Sequence, residues 1–256
     1  MEKRLIIMLM AATVAVTGTK AQSDDFGIWS EANVEKKINS NLEIEGGVEW
    51  RTRDNASETD RWSASVGVSY KLTDWLKASA GYSLLYDNNH KVNSSGKKYS
   101  EYWGLRHRFN VSLTGSYSFG NLGISLRERW QYTYRPEKTV DRYWNYTDED
   151  DDRYYGEPVV KNGATEQHTY SGKGKSVWRN RLQLKYKVTK MWRPYLAGES
   201  YVAGSGLDKI RLSAGTEIRL SKQHWLDVKY LFQKVYDDDD DEGNKHILGI
   251  GYTYKF

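Results

Sequence analysis

The chain of 256 residues contains no cysteine and only three prolines. Without cysteine, a disulfide framework, a lipid-modified cysteine, thiolate chemistry and zinc sites built on cysteine are all excluded. No apolar stretch after Val16 is long enough to form a transmembrane helix. The formal net charge of +4 is too small to indicate nucleic acid as a partner.

Aromatic side chains are abundant in this otherwise polar chain. They make up 14% of the residues, while the mean hydropathy is −0.79. This combination is unusual for a soluble domain but typical of a membrane barrel. Half of each strand of such a barrel faces lipid and the other half faces a wet lumen, so the two halves cancel in the average.

Residues 1–21 have the pattern of an export signal. Charged residues at positions 2–4 precede an apolar core at 5–16, and small residues lead up to Ala21. We expect cleavage after Ala21 and interpret residues 22–256 as one outer-membrane barrel domain. The alternative, an N-terminal helical anchor, requires a longer apolar core than this one.

Apolar and polar residues alternate along most of the mature chain, and the C-terminal segment shows this best. Its apolar or aromatic positions are Leu248, Ile250, Tyr252, Tyr254 and Phe256. Alternation alone also fits a half-buried strand of a soluble sandwich. A terminal aromatic residue, however, is typical of the segment that the barrel-insertion machinery of Gram-negative bacteria binds. We therefore predict an outer-membrane β-barrel whose Phe256 contacts that machinery.

The fold class predicted is all-β, a single antiparallel transmembrane β-barrel. About eleven alternating segments can be counted, but single-chain bacterial barrels have even numbers of strands. We therefore predict ten to twelve strands, with twelve favoured. Either residues 26–37 are not a full strand, or the count misses one strand. A hairpin hidden in the longest loop would add two strands and leave the number odd. Glu128 breaks the alternation, because it falls among the lipid-facing positions.

Connections alternate between tight turns and longer polar loops, as in bacterial barrels with short periplasmic turns and long outer loops. The predicted outer loops are residues 54–59, 88–100, 135–175, 204–208 and 237–245. Aromatic residues gather beside these loops and again at the opposite ends of the segments. Two such girdles are expected at the two membrane interfaces.

Several stretches resemble a family of Bacteroidota outer-membrane proteins known as domain of unknown function 2490. The resemblance covers nearly the whole mature chain and is most specific in Arg-His-Arg-Phe-Asn and Arg-Glu-Arg-Trp-Gln-Tyr. The similar stretches are residues 60–63, 75–78, 81–82, 85–89, 102–104, 106–114 and 125–136. The resemblance implies an outer-membrane location and a barrel. It implies no activity, and a fold alone does not provide one.

The inward-facing positions predict a charged lumen with an acidic wall on the first strands and a larger basic wall on the later ones. The charged residues assigned to the lumen are Glu43, Glu45, Glu49, Arg106, Arg108, Arg127, Arg129, Arg179, Arg181, Arg211 and Arg219. Two interpretations remain open. Paired side chains fill a structural barrel, or the lumen is a small pore for anions such as acidic oligosaccharides.

We predict no catalytic site, no metal site and no cofactor. Two acidic runs lie in outer loops, at 148–152 and 237–242. Counted from Asp238, the second lacks the ligand spacing of an EF-hand calcium loop, because Gly249 falls where a bidentate glutamate is needed. A loose divalent site or bridging to lipopolysaccharide remains an alternative to solvated loops. A lipid-modifying hydrolase is a further alternative. Only His107 lies in mid-strand, and no nucleophilic serine accompanies it on its face. The expected partners are outer-membrane lipid and lipopolysaccharide, and the chain is expected to be a monomer.

Overall fold

The computed structural model describes residues 24–145, 156–204, 206–236 and 244–256. The export signal and both acidic runs lie outside these ranges, so the expectations about them stay predictions. Within the described ranges, no helix is long and apolar enough to cross a membrane.

Sixteen strands make up the described chain. In chain order they are β1 (Asp25–Lys37), β2 (Leu42–Arg53), β3 (Glu58–Lys71), β4 (Leu76–Val92), β5 (Lys98–Phe119), β6 (Leu122–Arg135), β7 (Lys138–Asp141), β8 (Tyr143–Trp144), β9 (Val160–Lys161), β10 (Ala164–Thr165), β11 (Gln167–Tyr170), β12 (Lys173–Tyr186), β13 (Trp192–Ala203), β14 (Gly206–Arg219), β15 (His224–Val235) and β16 (Lys245–Lys255). Eleven of them, β1–β6 and β12–β16, close into one barrel, while β7–β11 belong to the longest loop. The predicted all-β barrel is confirmed.

The barrel closes through a parallel pair of strands. Residues from Asp25 to Glu35 of β1 pair with Lys245 to Lys255 of β16 in the same direction, whereas every other pair around the ring is antiparallel. A parallel closing pair allows an odd number of strands. The prediction of ten to twelve strands is therefore confirmed, and residues 26–37 do form a full strand. The favoured number, twelve, is reached only by adding β8, which pairs with the start of β5 outside the ring.

Period-two alternation separates the two surfaces of the barrel. Side chains of one parity are exposed and apolar, among them Val48, Val66, Leu105, Leu113, Leu126, Leu182 and Leu212. Those of the other parity point into the barrel and are mostly charged or polar. Glycine provides space where a large side chain turns inward. A Cβ at Gly249 would lie 2.6 Å from Cε of Lys229.

Short turns join the strands at one end, which we call the short-turn rim. In four of the five turns, a side-chain oxygen near the start of the turn accepts hydrogen bonds from backbone N–H groups further along. Asn39, Thr73, Thr189 and Ser221 play this part, with N···O distances between 2.8 and 3.3 Å. In the fifth turn, Gly120 adopts a φ of 57°. These are the residue types that favour turns.

The opposite end, which we call the long-loop rim, is built differently from the sequence-based expectation. β4 and β5 extend to Val92 and from Lys98, so the connection predicted at 88–100 is shorter than expected. Asp54, Asn55 and Ala56 make a tight turn with positive φ. Within the longest loop, β7 pairs with β11 and β9 with β10.

Glu128 has a specific partner on the outer surface. Nε1 of Trp178 on the neighbouring strand donates a hydrogen bond of 2.9 Å to its carboxylate. A lipid-facing carboxylate is costly unless a donor satisfies it. The indole of Trp178 supplies that donor.

Candidate functional site

The interior of the barrel contains two cavities, stacked along its axis. The central cavity has a volume of about 300 Å³, and the long-loop cavity, which lies nearer the long-loop rim, has about 180 Å³. Both are lined by side chains of the barrel strands. Among the described residues, none between 136 and 172 lines either cavity, although Tyr170 of the longest loop stacks on the buried Tyr102 at the start of β5.

Among the described residues, cations outnumber carboxylates around both cavities. The charged side chains of the central cavity are Glu31, Glu49, Arg51, Arg108, Arg127, Arg129, Arg179, Arg181, Glu199, Arg211 and Lys229. Those of the long-loop cavity are Arg51, Arg61, Lys91, Arg106, Arg108, Arg135, Lys173, Lys175, Arg179, Asp208, Lys209 and Arg211. The lining is thus basic overall, although carboxylates are interspersed in it.

Four arginines line both cavities and so lie between them: Arg51, Arg108, Arg179 and Arg211. Three of them are held against aromatic rings. The guanidinium of Arg51 lies 3.7 Å from the ring centroid of Trp29, and that of Arg211 lies 4.9 Å from the same ring. Tyr201 contacts Arg179 at 4.5 Å and Arg211 at 4.8 Å. Such cation–π contacts favour one arrangement of these long side chains.

Glu199 on β13 is the centre of the largest group of ion pairs. Its carboxylate accepts hydrogen bonds from Arg127 at 2.7 Å, from Arg179 at 3.0, 3.1 and 3.3 Å, and from the hydroxyl of Tyr201 at 3.0 Å. Its side chain is 10% exposed, so these bonds form where water screens them little. One carboxylate therefore links strands β6, β12 and β13 across the inner wall.

Asp87 on β4 plays a similar part nearer the long-loop rim. It is buried between Arg61, which donates Nε–H to it, and Arg106, whose Nε lies 2.7 Å away. Arg106 also donates to Oδ1 of Asn89 at 3.1 Å. Two cations thus share one buried carboxylate, and Arg106 also uses the amide of Asn89 as an acceptor.

Other carboxylates pair singly. Glu49 accepts two hydrogen bonds from Arg51, at 2.7 and 2.8 Å. Towards the short-turn rim, Lys229 lies 3.1 Å from Glu31. The pairs Lys185–Glu217 and Lys255–Glu35 complete this set.

Five of the arginines that line the cavities have no carboxylate partner within the described ranges. Among the residues that the structure describes, no carboxylate lies within ion-pairing distance of Arg108, Arg129, Arg135, Arg181 or Arg211, and Arg211 donates instead to Gln233 and Tyr201. Arg108 donates one hydrogen bond of 3.3 Å to Thr133. The Nε–H of Arg129 is buried and donates to no acceptor in this part of the chain.

The structure brings most of the charged residues predicted for the lumen to the two cavities. Glu49, Arg106, Arg108, Arg127, Arg129, Arg179, Arg181 and Arg211 line one or both. Three lie elsewhere. Glu43 lines a separate pocket at the short-turn rim, Glu45 packs over Gly67, and Arg219 lies 5.5 Å from the ring of Trp225.

The predicted division into one acidic and one basic wall is not what the structure has. Glu199 comes from the later strands, which were assigned to the basic side, and Asp87 comes from β4, which was assigned to neither wall; each lies between two arginines. Sequence reasoning missed both of them, as well as Arg51 and Arg61. The alternation along each strand predicts that their side chains face inward, but which side chains pair depends on the register between strands.

His107, the one mid-strand histidine, accompanies a tyrosine on the outer surface. Its Nδ1 lies 2.8 Å from the hydroxyl of Tyr82. Ser112 lies five residues further along the same strand and points inward. Its hydroxyl oxygen lies 2.7 Å from that of Ser79. That the chain has no catalytic site stays a prediction.

Comparison with known proteins assigns the chain to a family. The profile of a family described as a protein of unknown function (DUF2490) matches residues 26–244. The chain belongs to the DUF2490 family. The resemblance inferred from residues 60–136 is thereby confirmed, while the Bacteroidota source stays a prediction. No curated protein matches this DUF2490 sequence.

Solved structures share the fold of this DUF2490 protein at low sequence identity. The translocator domain of the autotransporter NalP from Neisseria meningitidis superimposes with a TM-score of 0.55 at 10% identity, covering 93% of this chain and 91% of that one. The beta domain of the Bordetella autotransporter BrkA gives 0.50 at 12% identity, covering 84% and 82%. These likenesses show the fold alone, that of outer-membrane β-barrels.

Proposed function

We propose that this DUF2490 protein resides in the outer membrane and that its lumen is a narrow passage favouring anions. The observation that carries the proposal is the surplus of cations around both cavities. Among the residues that the structure describes, eleven lysines and arginines and one carboxylate line the long-loop cavity, and eight cations and three carboxylates line the central cavity. Charged walls of one sign set the selectivity of a pore.

The exposed apolar surface and the fold support the location. Large apolar side chains such as Val66 and Leu212 are 62% and 55% exposed on the outer surface, where acyl chains would cover them. Aromatic residues lie near both rims, at the level of lipid headgroups. The terminal Phe256 follows β16 at the short-turn rim, which we assign to the periplasm.

The arrangement along the axis supports selection of solutes by charge. An anion entering from the long-loop rim would meet the more basic cavity first, and low-dielectric walls focus the field of those cations. It would then pass Arg51, Arg108, Arg179 and Arg211, which lie between the cavities. Contacts with Trp29 and Tyr201 hold three of these guanidinium groups, those of Arg51, Arg179 and Arg211, beside the cavities. Small anions and acidic oligosaccharides are the solutes that such a passage suits.

Planar bilayers test the passage directly. Purified protein should give a small conductance, and the reversal potential under a potassium chloride gradient should indicate preference for chloride. Arg108→Gln and Arg181→Gln should each reduce that preference, because neither arginine has a carboxylate partner among the described residues. Arg219→Gln makes the same chemical change away from both cavities and should leave the preference unchanged. Preference for potassium in the wild-type protein would contradict the proposal.

A second candidate is a structural barrel whose interior is closed by its own side chains. The observation that favours it is the shared ion pairing of Glu199 and Asp87, which joins long charged side chains of neighbouring strands on the inner wall. Long charged side chains can fill a narrow barrel in this way. Bilayers that remain silent although the protein is folded and inserted would support this candidate over the passage.

A further inference from the structure

Four arginines form a square on the inner wall, where strands β6 and β12 lie side by side. Arg129 stands directly opposite Arg179 in the antiparallel register, and Arg127 stands opposite Arg181. Within each strand the two arginines are two residues apart, so all four point into the lumen. Directly opposite residues have Cβ atoms about 5 Å apart, and like charges there repel each other.

The carboxylates of the described residues neutralise the positive charge of this square only in part. Among the described residues, Glu199 is the one carboxylate that reaches it, and it bonds Arg127 and Arg179. Arg181 stands opposite Glu199 in the register of β12 and β13, but neither it nor Arg129 has a carboxylate within ion-pairing distance in this part of the chain. The Nε–H groups of Arg127 and Arg129 are buried without an acceptor in the same part of the chain. Buried cationic donors of this kind are costly unless an anion satisfies them.

The space in front of the square can hold an anion. All four arginines line the central cavity, whose volume is about 300 Å³. Arg108 lines the same cavity, and within the described ranges its one hydrogen bond goes to the hydroxyl of Thr133 at 3.3 Å. An anion in this cavity would therefore face up to five guanidinium groups.

We propose that Arg127, Arg129, Arg179 and Arg181 form a binding site for a compact, multiply charged oxyanion, that is, a phosphate or sulfate group. Guanidinium groups match the oxygens of such groups with paired, charge-assisted hydrogen bonds. A tetrahedral group has enough acceptor oxygens to serve several of the four arginines at once, whereas a single carboxylate has two. This proposal rests on the proposed passage, through which an anion reaches the site. It adds to that proposal the class of anion that the lumen binds.

Titration calorimetry of the detergent-purified full-length protein tests the site, with inorganic phosphate as the probe at constant ionic strength. We expect saturable binding of one phosphate per barrel, with sulfate similar. Chloride and glucuronate should bind at least about tenfold more weakly, because they offer fewer charges or acceptors. Arg129→Gln and Arg181→Gln should each weaken phosphate binding by about tenfold or more, since each removes charge-assisted hydrogen bonds.

Arg219→Gln is the matched control, because it removes one arginine outside both cavities and should leave phosphate binding unchanged. A shift in electrophoretic mobility on heating would confirm that each variant is folded. Phosphate binding that does not saturate, or that both square variants and the control reduce equally, would overturn the site. Glucuronate binding more tightly than phosphate would overturn the proposed anion class.

Bilayer recordings on the same variants separate this site from the passage itself. A barrel that prefers chloride but shows no saturable phosphate binding would overturn the site and leave the passage intact. A barrel that binds phosphate saturably but stays silent in bilayers would support the site and overturn the passage.

Discussion

Replacing Glu199 by glutamine should destabilise the barrel more than any other single removal of a negative charge from the central cavity. The substitution keeps the shape of the side chain but removes the charge that Arg127 and Arg179 share. Five hydrogen bonds reach this carboxylate, and its side chain and those of the two arginines are 10%, 21% and 13% exposed. The arginines would remain buried without their counter-charge.

The magnitude follows from this burial. Breaking a buried ion pair by removing one partner costs about 3–5 kcal/mol, because the remaining charge is left uncompensated. Glu217→Gln is the matched control. Its carboxylate pairs with Lys185 alone, and the two side chains are 28% and 31% exposed. A solvated pair of this kind contributes about 0–1 kcal/mol.

Urea unfolding in lipid vesicles measures both changes, and the ten tryptophans of the chain provide the fluorescence signal. Glu199→Gln should lower the free energy of unfolding by several times the loss seen for Glu217→Gln. Phosphate should restore part of the loss if it binds the arginine square. Equal losses for the two variants, or wild-type stability of Glu199→Gln, would refute the reasoning from burial and shared pairing.

Three further predictions concern the outer surface, the longest loop and assembly. Glu128→Leu should raise the free energy of unfolding in vesicles by about 1 kcal/mol, since a lipid-facing carboxylate costs more than its bond to Trp178 returns; a decrease would contradict this. The ammonium of Lys98 donates to Glu166 and holds the pKa of that carboxyl below its usual range. This contact therefore stabilises the loop above the ordinary glutamate pKa of about 4.3 and is lost as the pH falls below it. Amide exchange of β11, corrected for intrinsic rates, should accelerate in that range, and unchanged protection would count against the contact. Deleting Phe256 should lower the yield of heat-modifiable barrel in outer-membrane fractions, and an unchanged yield would exclude its role in insertion.

The strands could be predicted from the sequence because alternation is a local property. One residue in two must be apolar wherever the opposite side faces a wet lumen, so segments such as 122–135 are readable without any knowledge of their neighbours. Turn positions were equally local, since Asn39 and Thr73 bond the backbone only two or three residues away.

The way the barrel closes could not be predicted in the same way. Whether β1 pairs with β16 in parallel depends on two segments more than two hundred residues apart, and alternation carries no information on direction. The local count of about eleven alternating segments matches the barrel, but the rule of even strand numbers favoured twelve, because alternation does not show how the two ends of the chain pair. The length of β4 and β5 beyond the apolar band was missed because polar strand ends resemble loops in sequence.

The sequence predicted most of the charged residues that line the interior but not which of them pair. Parity alone places Arg127, Arg129, Arg179 and Arg181 in the lumen. Their meeting in one square depends on the register of β6 against β12, which a shift of two residues would change without altering the parity of any side chain. The same holds for Glu199, which is unremarkable in sequence and becomes central only between its two arginines.

Cysteine accessibility in intact outer membranes tests the central claim most directly, because the chain has no cysteine of its own. Ser213 lines the central cavity, and the adjacent Leu212 is 55% exposed on the outer surface. We expect Ser213→Cys to react with a small, water-soluble, anionic thiol reagent about tenfold faster than with its cationic counterpart, while Leu212→Cys reacts with neither. Equal reaction at the two positions, or faster reaction of Ser213→Cys with the cationic reagent, would contradict a lipid-embedded barrel with an anion-favouring lumen.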